Sequence, residues 1–118
     1  MAATITKVSL SGSANYNMIA VTAACAPGVI IHTAVSGNAV ENQSDEVWLW
    51  AYNGHTAALT ATIEWGQTTA CLIQSIPSKS GYSLMIPGVP LSNAYVVKAY
   101  GQDASKIYIS GFVNQIRP

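Results

Sequence analysis

From Glu46 to Asn53 apolar side chains fill both parities of an alternating run. Val47, Leu49 and Ala51 fall on one side of an extended chain, and Trp48, Trp50 and Tyr52 on the other. A helix would scatter these six residues around its circumference, whereas a strand sorts them into two apolar faces. Such a strand either lies in the middle of a core or buries one face inside the molecule and the other against a partner. Weaker versions of the pattern recur along the chain, and no stretch of about twelve residues shows apolar positions at the three-and-four spacing of a helix. An all-β fold follows.

Asn53-Gly54 closes this first run with a strong hairpin signal, because both residue types tolerate positive φ. Ala58 to Trp65 comes next, with Leu59, Ala61, Ile63 and Trp65 on one face and Thr60, Thr62 and Glu64 on a solvent face; the two runs are expected to pair as an antiparallel hairpin. Gly66 to Thr69 breaks the chain, and Cys71 to Ile76 is a strand that stops at Pro77. Tyr82, Leu84 and Ile86 share one face of the following strand, with Ser83 and Met85 opposite, and Pro87-Gly88-Val89-Pro90 is expected to end it. Ala94 to Tyr100 and Lys106 to Gln115 complete the set; Gly111 in the latter marks a bulge or a close backbone approach. Earlier in the chain, Thr4 to Leu10, Met18 to Ala23 and Val29 to Val35 read as strands, and Ser36 to Asp45 as a polar loop. About eight short strands at this spacing predict one antiparallel β-sandwich spanning residues 1–118, with a closed barrel as the architectural rival. Leu59, Ile63, Trp65, Leu84, Ile86, Val97 and Ile109 are the expected core.

The chain is half hydrophobic, yet only 8% of its 118 residues are charged, where about 25% is usual. Five Lys and Arg balance five Asp and Glu. Such a surface is expected to be partly covered by partner chains. The scattered cations Lys7, Lys79, Lys98, Lys106 and Arg117 make nucleic acid an unfavourable partner, since phosphate binding needs clustered positive charge. No apolar run is long enough to span a bilayer as a helix, and the N-terminus shows no basic region followed by an apolar core, so synthesis in the cytoplasm is expected. Cys25 and Cys71, far apart in sequence, are expected to be buried, reduced and unlinked.

Catalytic groupings are sparse. His32 sits in an apolar strand and His55 beside a turn, which reads as structural histidine rather than a metal site. Glu64 could meet Asp45 or Glu46 across a hairpin, as a glycosidase pair would require, but solvent-facing charges that discourage edge pairing are the simpler expectation. No Gly-x-Ser-x-Gly elbow and no phosphate-cradling glycine loop occurs. Neither catalytic residues nor a cofactor nor a metal is therefore expected. Trp48, Trp50 and Tyr52 are the candidate partner interface, because Trp and Tyr serve as anchors between proteins; the same residue types can also stack on sugar rings.

Several segments together resemble small virion proteins of tailed bacteriophages: Val47-Trp48-Leu49-Trp50-Ala51-Tyr52-Asn53, Thr62-Ile63-Glu64-Trp65-Gly66, Ile76-Pro77, Leu84-Met85-Ile86-Pro87-Gly88-Val89-Pro90-Leu91, and Ile107 to Ile116 with its Gly111-Phe112-Val113-Asn114. The resemblance runs over residues 47–116, does not extend to residues 1–45, and is carried by the order of these segments more than by any one. It implies a jelly-roll-like sandwich and a capsid decoration (cement) protein, or another small head or neck component, made in the host cytoplasm and carried on the outer capsid surface. Its partners would be the major capsid protein and its own copies, with a trimer favoured. A carbohydrate-binding or adhesive β-sandwich, such as a head-fibre or tail-tip component, is the alternative.

Overall fold

The computed structural model describes residues 4–67 and 69–118; Met1–Ala3, and Thr68 of the Gly66–Thr69 break, lie outside the described residues. Nine strands are found among the described residues: β1 (Thr4–Ser9), β2 (Ile19–Val21), β3 (Val29–Thr33), β4 (Ser44–Asn53), β5 (Leu59–Trp65), β6 (Cys71–Ile76), β7 (Ser83–Leu91), β8 (Val96–Gly101) and β9 (Ile107–Arg117). They form two antiparallel sheets. The first has the order β1-β9-β4-β7, with β2 also paired to β9, and the second β3-β8-β5-β6. Each sheet has two free edges, so the architecture is an open sandwich and not a closed barrel. β1 and β2 lie in succession along β9, against Phe112–Arg117 and Ile107–Ile109 respectively. Counted as one interrupted strand they make eight, and the two sheet orders are then those of a jelly roll, whose chain crosses between sheets at nearly every connection.

The core lies between the sheets and follows the expected alternation. Val47, Leu49 and Ala51 of β4, Leu59, Ala61 and Ile63 of β5, and Ile107, Ile109 and Val113 of β9 are buried. Burying each larger side chain contributes about 1.5–3 kcal/mol. Gly111 occupies the inward parity of β9 in regular register with Leu49, so it marks a close approach and not a bulge: a Cβ there would collide with the Trp48 carbonyl.

Several expectations need correction. β4 and β5 do not form a hairpin, because β4 pairs with β7 and β9 in one sheet while β5 pairs with β6 and β8 in the other. Asn53 is fully buried. Its amide donates to the Ala57 and Ile76 carbonyls and its Oδ1 accepts from the His55 N–H, so the Asn-Gly turn carries the chain across the sandwich instead of back along the sheet. The hairpin joins β5 to β6, with Gly66 at φ 73°. β7 runs on through Pro87-Gly88-Val89-Pro90, accommodating the prolines on an edge strand with two register shifts against β4. One shift lies between the pairs Leu49–Ile86 and Trp50–Leu84 and leaves Met85 as the extra residue. It reverses the face of Leu84, which was expected in the core and is 45% exposed. Trp65 is only partly buried and packs on the core margin. Cys25 and Cys71 are exposed, not buried. The loop expected at 36–45 holds a 3₁₀ turn (Ala39–Glu41) capped by Asn38, and its last two residues already belong to β4.

Candidate functional site

Residues of β4 with even numbers point away from the core, and the neighbouring strands bring further rings beside them. Register places Trp48 opposite Phe112 and Tyr52 opposite Tyr108 on β9, while on β7 Pro87 lies opposite Trp48 and Leu84 opposite Trp50. Directly opposed residues in an antiparallel pair share a face, so the three residues singled out in the sequence sit together on the outer surface of the first sheet. Trp48, Trp50 and Phe112 form a triangle, with ring centroids 6.0–6.1 Å apart and interplanar angles of 16°, 17° and 31°. Tyr52 and Tyr108 continue the stripe at 6.3 Å. At its far end a shallow apolar hollow of about 230 Å³ is lined by Met18, Tyr52, Gly81 and Tyr82.

The rings are held in place. Trp48 donates from Nε1 to Glu46 Oε1 at 3.1 Å, and the same oxygen accepts from Asn114 Nδ2 at 3.1 Å. These two hydrogen bonds, Asn114 first, hold the Glu46 carboxyl below its ordinary value. Gly88, at φ 72°, lies against the indole of Trp48 where a Cβ would come within 2.7 Å of the ring. Lys7 reaches across from β1 and sets its ammonium 4.8 Å from the Phe112 centroid, inside cation–π range. Phe112, Tyr108, Leu84 and Lys7 were not singled out from the sequence. The first two were legible in principle, since they share the outward parity of Lys106 to Gln115; Leu84 was hidden by the bulge at Met85.

The titratable residues are arranged otherwise than the sequence led one to expect. Asp45 and Glu64 were expected to face solvent and are 2% and 1% exposed. Asp45 has the inward parity of β4. There it accepts from His32 Nε2 at 2.8 Å, Arg117 Nη2 at 3.0 Å and the Val35 N–H at 3.2 Å. A register shift in β3 between Ile30 and His32 turns the imidazole inward, and the Ser11 N–H donates to its Nδ1, which leaves Nε2 to carry the hydrogen toward Asp45. Burial works against ionisation of Asp45 and is the largest single influence. The hydrogen bonds from His32 and Arg117, with the positive charge of Arg117, together outweigh it and keep the carboxyl below its ordinary 3.8. The cluster fastens one end of the sandwich, tying β3 of one sheet to β4 and β9 of the other. Glu64 projects from the opposite sheet and accepts from the Gly28 N–H at 2.7 Å, which brings the segment before β3 against it.

The carboxylate pair considered from the sequence does not assemble: Glu46 and Glu64 project from opposite sides of the sandwich, and Asp45 points between the sheets. His55 pairs loosely with Asp103 at 4.0 Å on the surface. Among the described residues no three His, Cys, Asp or Glu side chains gather as metal ligands, and no helix is long and apolar enough to cross a membrane. A hollow of about 560 Å³ is lined by small, amide and apolar side chains including Ala39, Asn42, Gln43 and Ile116, and lies apart from the rings. The outer aromatic face is thus the most developed surface feature of the molecule. No protein family, curated protein or solved structure matches the chain.

Proposed function

We propose that this chain is a structural virion protein, a decoration protein that binds and stabilises a phage head shell through the outer aromatic face of its first sheet. One observation carries the reading: five ordered aromatic side chains, Trp48, Trp50, Tyr52, Tyr108 and Phe112, share one sheet face. Aromatic residues anchor the centres of protein interfaces, where they bury much area at little cost in side-chain entropy. The shortage of charge points the same way and is sharper than the sequence implies. Of ten charged side chains two, Asp45 and Glu64, are buried, which leaves eight for the surface. The resemblance of residues 47–116 to phage virion proteins supplies the kind of partner: the major capsid protein, and further copies of this chain, with a trimer as the favoured closed assembly. Many weak contacts repeated over a shell sum to a large stabilisation without any chemistry.

The near-parallel planes of Trp48 with Trp50 and of Trp48 with Phe112 give the sugar-binding alternative its own support. A sugar stacks on an open ring face, however, and here Lys7 stands over Phe112 while Gly88 abuts Trp48. Those contacts favour a protein surface as the occupant. Co-sedimentation with intact capsids, run beside a glycan titration followed by tryptophan fluorescence, separates the two. Capsid binding without sugar quenching supports decoration; quenching by sugar without capsid binding overturns it.

A further inference from the structure

The four sheet edges are not alike. An edge strand exposes a row of unpaired N–H and C=O groups, and soluble proteins blunt such rows with proline, lysine, bulges or a covering loop. β7 carries Pro87, Pro90 and two register shifts. β1 carries Lys7 at its middle. β3 has a bulge, and the loop after β1 caps its outer side: the Gly12 N–H donates to the Ile31 carbonyl at 3.0 Å, and the Thr33 N–H to Ser11 Oγ at 2.7 Å. Among the described residues, Leu72 to Ser75 of β6 have none of these. The strand pairs with β5 in unbroken register from Cys71–Glu64 to Ile76–Leu59, and contains neither proline nor a charged side chain. Every residue from Cys71 to Ser75 is exposed, with Leu72 at 46% and Ile73 at 67%. Among the described residues no loop or side chain hydrogen-bonds to the backbone of residues 72–75.

We infer that β6 is a second interface, at which two copies of this chain pair their β6 strands antiparallel about a two-fold axis and join their second sheets into one eight-stranded sheet. A second copy fits this edge for three reasons. An antiparallel ladder is self-complementary, so an identical strand supplies every donor and acceptor required. Residues 69–78 carry no charge, so like meets like without repulsion. The side chains also agree. Keeping inward faces together requires residues of like parity to be opposed, and the axis through Ile73 sets Ile73 against its own copy, Leu72 against Gln74, and Cys71 against Ser75. The contact lies on the edge of the second sheet, away from the aromatic face of the first, and does not depend on the decoration reading.

The test is sedimentation equilibrium on the full chain carrying Trp50→Ala, so that association through the aromatic face is weakened, compared with the same chain carrying Ile73→Lys as well. Position 73 is exposed in the single chain, so the lysine leaves the fold intact, which far-ultraviolet circular dichroism checks. The expected result is a dimer whose dissociation constant rises about tenfold or more when two lysines are forced opposite each other. Amide exchange in residues 72–75 of the Trp50→Ala chain should also slow as concentration rises. A Trp50→Ala chain that stays monomeric at every concentration, or a dimer indifferent to Ile73→Lys, overturns the inference.

Discussion

Replacing Asp45 with alanine tests whether the polar cluster at the end of the sandwich holds the two sheets together. The substitution deletes three acceptor contacts from a side chain only 2% exposed, and leaves the His32 Nε2–H and the Arg117 guanidinium without their carboxylate. Removing one member of a buried ion pair costs about 3–5 kcal/mol. Arg117 is 29% exposed and can turn to water, which draws the figure toward the lower end, whereas His32 is enclosed and keeps its penalty. A loss of about 3–4 kcal/mol is expected, a large part of the roughly 5–15 kcal/mol that holds a domain of this size. In urea that lowers the unfolding midpoint by about 2 M for a slope of about 2 kcal/mol/M. Acid provides a second reading of the same contact. The folded-state pKa of Asp45 lies below its ordinary 3.8, so the contribution of the carboxylate is complete above that value and is lost as pH falls through the folded pKa. Wild type should lose stability as pH falls below about 4, and Asp45→Asn should lose less over the same range. A cost under about 1 kcal/mol for Asp45→Ala, with an unchanged acid limb, would show that the cluster contributes little and that apolar packing alone joins the sheets.

The face assignments can be checked in the same assay. Ile63→Ala, at a fully buried position, should cost about 2–5 kcal/mol, whereas Leu84→Ala, on the outer face, should cost well under half as much; equal costs would mean that the bulge at Met85 is wrongly placed. Gly88→Ala should disturb Trp48, both because φ is 72° and because the new methyl meets the indole, giving a loss of about 1–3 kcal/mol and an altered near-ultraviolet dichroism; an unchanged aromatic signal would contradict the packing described. Far-ultraviolet dichroism of the wild type should show β structure with almost no helix, and a helix content above about a quarter would contradict the fold.

Much of the sandwich was legible because alternation is a direct image of the pleat. Val47, Leu49 and Ala51 against Trp48, Trp50 and Tyr52 needed nothing beyond period two to be sorted into an inner and an outer face. Expectation failed where a non-local contact outweighed a local signal. Asn53-Gly54 looks like a hairpin, but the Asn53 side chain is drawn into the core by the Ala57 and Ile76 carbonyls, and the latter lies on a strand the local pattern cannot place. Leu84 was misassigned because one extra residue on β7 inverts the parity without changing residue type. Asp45 and Glu64 looked like solvent charges because burial of a charge depends on partners distant in sequence, Arg117 for one and the Gly28 N–H for the other. The three aromatic residues of β4 could be singled out, but their assembly with Phe112 and Tyr108 depends on β9, the last strand, pairing with the fourth.

The most direct test of the central claim is the disruption temperature of phage capsids, measured by light scattering without added protein, with the wild-type chain, and with a folded Trp50→Ala variant. Trp50 lies on the outer face in contact with Trp48 and Phe112, so its removal weakens the interface while leaving the core untouched. The wild type is expected to raise the disruption temperature, and Trp50→Ala to do so only weakly or not at all. A capsid whose disruption temperature is indifferent to the wild-type chain, or equally raised by both proteins, would contradict it.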